Sequence, residues 1–112
     1  MKCTSKIIKD VMVVDIEGDI MGGVESEQFQ TLIYNAVEQD TVKIVINMAN
    51  ANWINSSGLG MLISGMTTAR SSDGDLKLAN VSERIRRPLE ITRLDTIFSI
   101  YSSVDEAVES FE

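Results

Sequence analysis

Val42-Lys43-Ile44-Val45-Ile46-Asn47-Met48, followed seven residues later by Asn55-Ser56-Ser57-Gly58-Leu59-Gly60-Met61-Leu62-Ile63, is the stretch on which the fold of this chain turns. The first segment is nearly all apolar and β-branched, with only Lys43 and Asn47 interrupting, and reads as a central strand covered on both faces. In the second, Leu59, Leu62, Ile63, Met66 and Ala69 recur at helical spacing. Ser56 and Ser57 therefore stand where a strand gives way to an amphipathic helix. Such a terminus leaves backbone N–H groups unpaired and presents the positive end of the helix dipole, so a phosphate on a capping serine is stabilised there. Ser, Asn and Gly are also what any strand-to-helix junction prefers, which is the plain structural reading of the same residues. Gly58 and Gly60 add weight to the functional one. Each costs about 1 kcal/mol in a helix relative to alanine, and two in a first turn point to a close approach to the backbone.

Working outward, residues 6–10 and 11–17 read as two short strands in an edge hairpin, the second with Met12, Val14 and Ile16 on one face and Asp15 and Glu17 on the other. Gly18, Gly22 and Gly23 mark a loop over residues 18–23. Over residues 25–39, Phe29, Leu32, Ile33, Ala36 and Val37 form the stripe of an amphipathic helix. On the other side, residues 71–75 are a helix stop and turn, and residues 76–80 a strand. A third helix over residues 83–94, capped by Asn80 or Ser82, buries Ile85, Leu89 and Leu94, and Pro88 inside it predicts a kink or break. Residues 97–101 read as a last strand. Val104, Ala107, Val108 and Phe111 line a terminal helix capped by Ser102 or Ser103. The order implies one α/β domain over residues 1–112, with a mixed central sheet of about five strands (edge hairpin plus parallel strands) and about four helices able to cluster on one side.

Composition removes whole classes of function. The 112 residues contain no histidine and one cysteine, Cys3, which excludes disulfide frameworks, the usual zinc sites, Cys-His pairs and Ser-His-Asp triads. Cys3 itself reads as a small apolar or surface residue. A formal charge of −7 disfavours nucleic acid as a partner and leaves a protein as the expected one. No apolar run is long enough to span a membrane, and the first six residues lack the apolar core of a secretory signal, so the expectation is a cytoplasmic protein without a membrane partner. Gly58 and Gly60 lack the third glycine of a dinucleotide fingerprint, no Walker lysine is present, and the serines are not flanked as G-x-S-x-G. The expectation is no cofactor, no metal, no catalytic residue and no enzyme activity.

Three further features carry readings of their own. Arg84, Arg86 and Arg87 form the only basic cluster, and Glu83 with Arg87 and Arg86 with Glu90 stand at i, i+4 spacing for ion pairs on a solvated helix face. Met66 falls on the apolar stripe, whereas Met61 points away from it and is expected at an exposed docking surface. Trp53 reads as a packing anchor.

The chain resembles the STAS family, and within it the anti-anti-sigma factors, bacterial antagonists of anti-sigma factors. The resemblance covers nearly the whole chain. It is carried by Gly18-Asp19-Ile20, Ile44-Val45-Ile46-Asn47-Met48, Asn55-Ser56-Ser57-Gly58-Leu59-Gly60, Leu76-Lys77-Leu78-Ala79-Asn80-Val81, Leu89-Glu90-Ile91-Thr92-Arg93-Leu94 and Ile97-Phe98-Ser99-Ile100-Tyr101, in that order and spacing. In the family the switch motif usually reads Asp-Ser-Ser-Gly-Leu-Gly, and its first serine, here Ser56, is phosphorylated by an ATP-binding serine kinase that is also the anti-sigma factor. A partner serine phosphatase reverses the modification. The resemblance implies Ser56 as phosphoacceptor, with Asn55, Ser57, Gly58, Leu59, Gly60 and Met61 shaping the partner-binding surface and Asp19, Met21, Gly22 and Gly23 completing it. Asn55 replaces the family aspartate, keeping a hydrogen-bonding side chain but losing a charge. Asn47 and Met21 also stand where family members often carry aspartate, and Arg93 stands where the family commonly has the glycine that ends the third helix. A different reading is a scaffold subunit of a signalling or lipid-transport assembly that is never phosphorylated.

Overall fold

Met1–Glu112 are all described in the computed structural model. The elements are β1 (Lys2–Ile8), β2 (Val11–Ile20), α1 (Val24–Glu38), β3 (Lys43–Ile54), α2 (Ser56–Arg70), β4 (Asp75–Ala79), α3 (Glu83–Ile91), a single 3-10 turn (Leu94–Thr96), β5 (Ile100–Tyr101) and α4 (Val104–Glu109). The strands form one sheet in the order β1-β2-β3-β4-β5. β1 is antiparallel to β2 and every other pairing is parallel. This is the mixed five-strand, four-helix α/β architecture expected of the sequence.

Alternation along β2 shows why the sheet is two-sided. Its even positions Met12, Val14, Ile16 and Ile20 enter a large core with Ile44, Ile46 and Met48 of β3, and with Phe29, Ile33, Leu62, Met66, Ile85 and Leu89 of α1, α2 and α3. Its odd positions Val11 and Val13 join Val45 and Ala79 in a smaller cluster closed by Ala107 and Val108 of α4. The helices therefore do not all cluster on one side: three cover one face and α4 the other. Lys77 holds that last helix down, donating to Ser110 Oγ at 2.8 Å while its ammonium lies 4.1 Å from the Phe111 ring centroid.

Several boundaries differ from those expected, each for a local reason. The hairpin turn is at Lys9 and Asp10, both at positive φ as a two-residue hairpin requires, so β1 starts at Lys2 and its register runs from Lys2 opposite Glu17 to Ile8 opposite Val11. β2 and β3 extend past their apolar runs. Gly18 pairs with Ala51, Asp19 with Trp53 and Ile20 with Ile54, with register shifts that absorb the polar stretch 49–53, and the expected loop over 18–23 shrinks to residues 21–23. β5 is only Ile100–Tyr101 because the chain before it winds into the 3-10 turn and buries Phe98.

α3 passes through Pro88 without a break and stops at Ile91; the proline forgoes only the one bond back to the Arg84 carbonyl. Of the candidate caps, Ser82 occupies the N-cap position of α3 without a side-chain bond. Ser103 caps α4, accepting from Glu106 N at 3.1 Å. The expected pairs Glu83–Arg87 and Arg86–Glu90 do not form. The side-chain ion pairs are Lys9–Glu112, Lys43–Asp10 and Arg70–Asp75, and no α3 arginine joins one. Cys3 packs half-buried against the main core, and burial pushes its thiol pKa up, so it behaves as a protonated apolar side chain.

Arg93 has φ 61 and ψ 18, the left-handed conformation in which a helix-ending glycine normally sits. A side chain there costs about 1 kcal/mol or more. Arg93→Gly is expected to raise the melting temperature by about 3–6 °C in a thermal denaturation scan; an unchanged or lower value would show that Arg93 makes a compensating contact.

Candidate functional site

The serine turn is built on the end of β2. Asn55 donates its backbone N–H to the Ile20 carbonyl at 3.2 Å, and its own carbonyl accepts from Leu59 N at 2.9 Å. Its side-chain Oδ1 accepts from Gly58 N at 2.8 Å. Asn55 is therefore the cap of α2, and neither serine has that duty. Ser56 and Ser57 are the first two helical residues, both exposed. Their N–H groups have no carbonyl one turn back, and α2 carries no acidic residue in its first turn, so the positive end of a 15-residue helix is uncompensated at Ser56.

The two glycines do different things. A Cβ on Gly58 would collide with the Ile20 carbonyl oxygen and stand 2.9 Å from Ile54 Cγ1, so the close approach inferred from the sequence is an internal joint between α2 and the sheet. Gly60 is exposed and faces open space. The loop after β2 closes one side of the serine pair. Gly22, at φ +77, lies so near Ser57 that a Cβ would sit 2.7 Å from the Ser57 Cβ. Gly22 thus closes on the Cβ and backbone of Ser57, while both serine side chains stay exposed.

The structure brings Asn55, Ser56, Ser57, Gly58 and Gly60 together with Gly22, its neighbour Gly23, and Met21, which is 52% exposed. Leu59 and Met61 lie beneath, in the core. Met61 is 3% exposed, contrary to the docking role expected of it, because α1 packs on the flank of α2 that carries it and the Gln30 amide donates to the Met61 carbonyl at 3.1 Å. Asp19 reaches the same end of the sheet, but the alternation of β2 sets it on the face away from α2, beside Trp53. Trp53 is 45% exposed and so is not the packing anchor expected.

Two further exposed residues border the site. Val24, 80% exposed, opens α1 beside the loop, and Ser64 continues the Ser56, Gly60 row at i, i+4 spacing along the outer side of α2. The second was legible in that spacing. The first carries no pattern of its own.

None of the three surface grooves on the molecule is lined by Ser56 or its neighbours, and no grouping of His, Cys, Asp and Glu could hold a metal ion. No helix is long and apolar enough to cross a membrane. The site is a small-residue surface around two adjacent exposed hydroxyls, suited to contact with another protein rather than to enclosing a small substrate.

Comparison with known proteins agrees with this architecture. A relative in Thermotoga neapolitana, named as a candidate anti-sigma factor antagonist, is 33% identical over 70 residues, 62% of this chain and 62% of that protein, so the match takes in less than two thirds of the relative's length. The crystal structure of a candidate anti-sigma factor antagonist from Thermotoga maritima has a TM-score of 0.86 at 25% identity, covering 96% of this chain and 92% of that one. The Bacillus cell fate determinant SpoIIAA in its phosphorylated form shares the fold, with a TM-score of 0.77 at 19% identity over 99% of this chain and 100% of that one. The STAS domain model matches residues 2–107, and with the sheet order and the serine turn in place the chain belongs to the STAS domain family.

Proposed function

We propose that this chain is an anti-sigma factor antagonist that works by partner switching. With Ser56 unmodified, the surface formed by Asn55, Ser56, Ser57, Gly60, Met21, Gly22 and Gly23 docks on an ATP-binding anti-sigma serine kinase and frees a sigma factor. The kinase then transfers the γ-phosphoryl group of ATP to Ser56 Oγ. ADP leaves, the hydroxyl proton passes to a base of the kinase, and the complex separates. A serine phosphatase returns the hydroxyl. The observation that carries this reading is the exposed Ser56 hydroxyl at the first position of α2, freed from capping by Asn55 and set where a phosphate has unpaired N–H groups to accept from. The names of its relatives, and the phosphorylated form in which the Bacillus neighbour was solved, support it.

The physics of the switch follows from that position. Phosphorylation adds about −1.5 to −2 charges, which the helix terminus tolerates and a fitted interface does not. The amide of Asn55 makes the same bond to Gly58 N that a carboxylate would, so the usual aspartate is replaced without loss of the cap. It also leaves the phosphoserine without an adjacent negative charge on the cap. The scaffold reading stays as the second one, favoured by the same Asn55.

Two outcomes test the proposal. Incubation with the cognate kinase and ATP is expected to add the mass of one phosphate to the wild type and nothing to Ser56→Ala, as read by intact mass; phosphate retained in Ser56→Ala would move the acceptor to Ser57. Ser56→Asp places a carboxylate at an uncompensated helix N-terminus and is expected to stabilise the fold by about 0.3–1 kcal/mol. The same variant should weaken kinase binding by about a hundredfold or more in a calorimetric titration. Wild-type affinity in Ser56→Asp would favour the scaffold.

A further inference from the structure

α4 covers only part of the second face of the sheet. Its six residues pack on β3, β4 and β5 over Val11, Val13, Val45 and Ala79, and the odd positions of β2 continue beyond it as Asp15, Glu17 and Asp19. The β2–β3 register places Asn47 beside Asp15, Asn50 beside Glu17 and Trp53 beside Asp19. A parallel pair is normally covered on both faces. Here it runs into solvent and ends on a half-exposed indole.

Lys2 and Lys6 of β1 share this face with the β2 carboxylates, standing opposite Glu17 and Val13, yet no ion pair forms on it. Asp15 accepts one neutral amide bond, from Asn47 Nδ2 at 2.7 Å, and Asn47 Oδ1 in turn accepts from Asn80 Nδ2 at 2.9 Å, so this end of the row is held rigid. The carboxylates stand two residues apart along one strand, about 6.5–7 Å per step. That spacing is too long for shared ligation of one metal ion, and it equals the repeat of alternate side chains in another extended chain.

We propose that this open half-face, with Asp15, Glu17, Asp19 and Trp53 as its contacts, is a docking surface for an extended basic segment of a protein partner that carries arginine or lysine at alternate positions. Asp19 beside Trp53 is the strongest position in it. A guanidinium laid on the indole face reaches the neighbouring carboxylate in its own plane, which combines stacking with a charge-assisted bond. The net charge of −7 draws a basic partner in and repels a nucleic acid. This surface lies on the opposite side of the sheet from α2 and is independent of the state of Ser56.

Trp53 is the only tryptophan, so its emission reports the site directly. The probe is an acetylated, amidated octapeptide of alternating arginine and serine, titrated at low ionic strength. A saturable change in Trp53 emission is expected, weakened by added salt. Glu17→Gln/Asp19→Asn should weaken binding about tenfold. The same loss of charge on the far side of the molecule, Glu83→Gln/Glu90→Gln, should change it by less than about twofold. Both double variants replace exposed side chains with near-isosteric ones, and matching thermal melts establish that they are folded. Absence of a saturable signal, or equal weakening by the two double variants, overturns the proposal, the latter by reducing binding to net charge. A dimer seen by sedimentation without peptide and dissolved by Glu17→Gln/Asp19→Asn also overturns it, since the face would then belong to a second copy of the chain.

Discussion

The backbone of Ile20 is the point on which the rest of this structure depends. Its carbonyl accepts from Asn55 N, and Gly58 rests against the same carbonyl so closely that no side chain fits between. One peptide group thereby fixes where β3 ends, where α2 begins and how near the helix lies to the sheet. Ile20 and Ile54 are both buried immediately below, so the joint is also an apolar one. Shifting it by one residue would turn Ile54 outward and carry Ser56 off the corner at which it projects.

Because the joint is internal, the surface above it can be spare. Asn55 supplies the cap, Gly22 closes on the backbone of Ser57, and Leu59 and Met61 anchor the first turns of α2 in the core. Ser56 is left with a hydroxyl that the fold does not use. A group free of structural work can gain and lose a phosphate without unfolding what carries it, and the energy of the modification then appears in the partner's affinity rather than in the stability of the domain.

The parts legible in the sequence were those where a single physical signal dominates. The apolar run 42–48 is buried on both faces of the sheet, the helical stripe after Ser57 and the Phe29, Ile33, Ala36 stripe of α1 on one, and periodicity reports each directly. Where two signals compete, sequence reading missed. The apolar run of the central strand ends at Met48, and residues 49–53 continue the strand only through pairing with residues 17–19 of β2, a contact distant in sequence. Lys2, Thr4 and Ser5 are in a strand for the same reason. Met61 seemed exposed because helical spacing describes one buried face, whereas α2 is packed on two sides, by the sheet and by α1. In Trp53 size suggested burial, and register decided otherwise. The cap was misassigned among three polar residues in a row, all of which can fill the position; only the φ of −107 and ψ of −177 at Asn55 select it.

The two sides of the sheet carry different kinds of information, and the lengths of the covering helices set the division. On the α1–α3 side, 15-residue helices span the strands and their loops meet at Ser56, so that face can only be read at its rim. On the other side α4 has six residues and is pinned by Lys77, which leaves the far ends of β2 and β3 bare. In the proposed switch the rim takes a single phosphate, at the helix N-terminus where unpaired N–H groups gather. The bare face differs. Its charge is spread along a strand and fixed by covalent sequence, so it suits recognition that is always on. A domain whose short last helix stops halfway across its sheet can therefore combine a switchable contact with a constant one, without either surface sharing a side chain with the other.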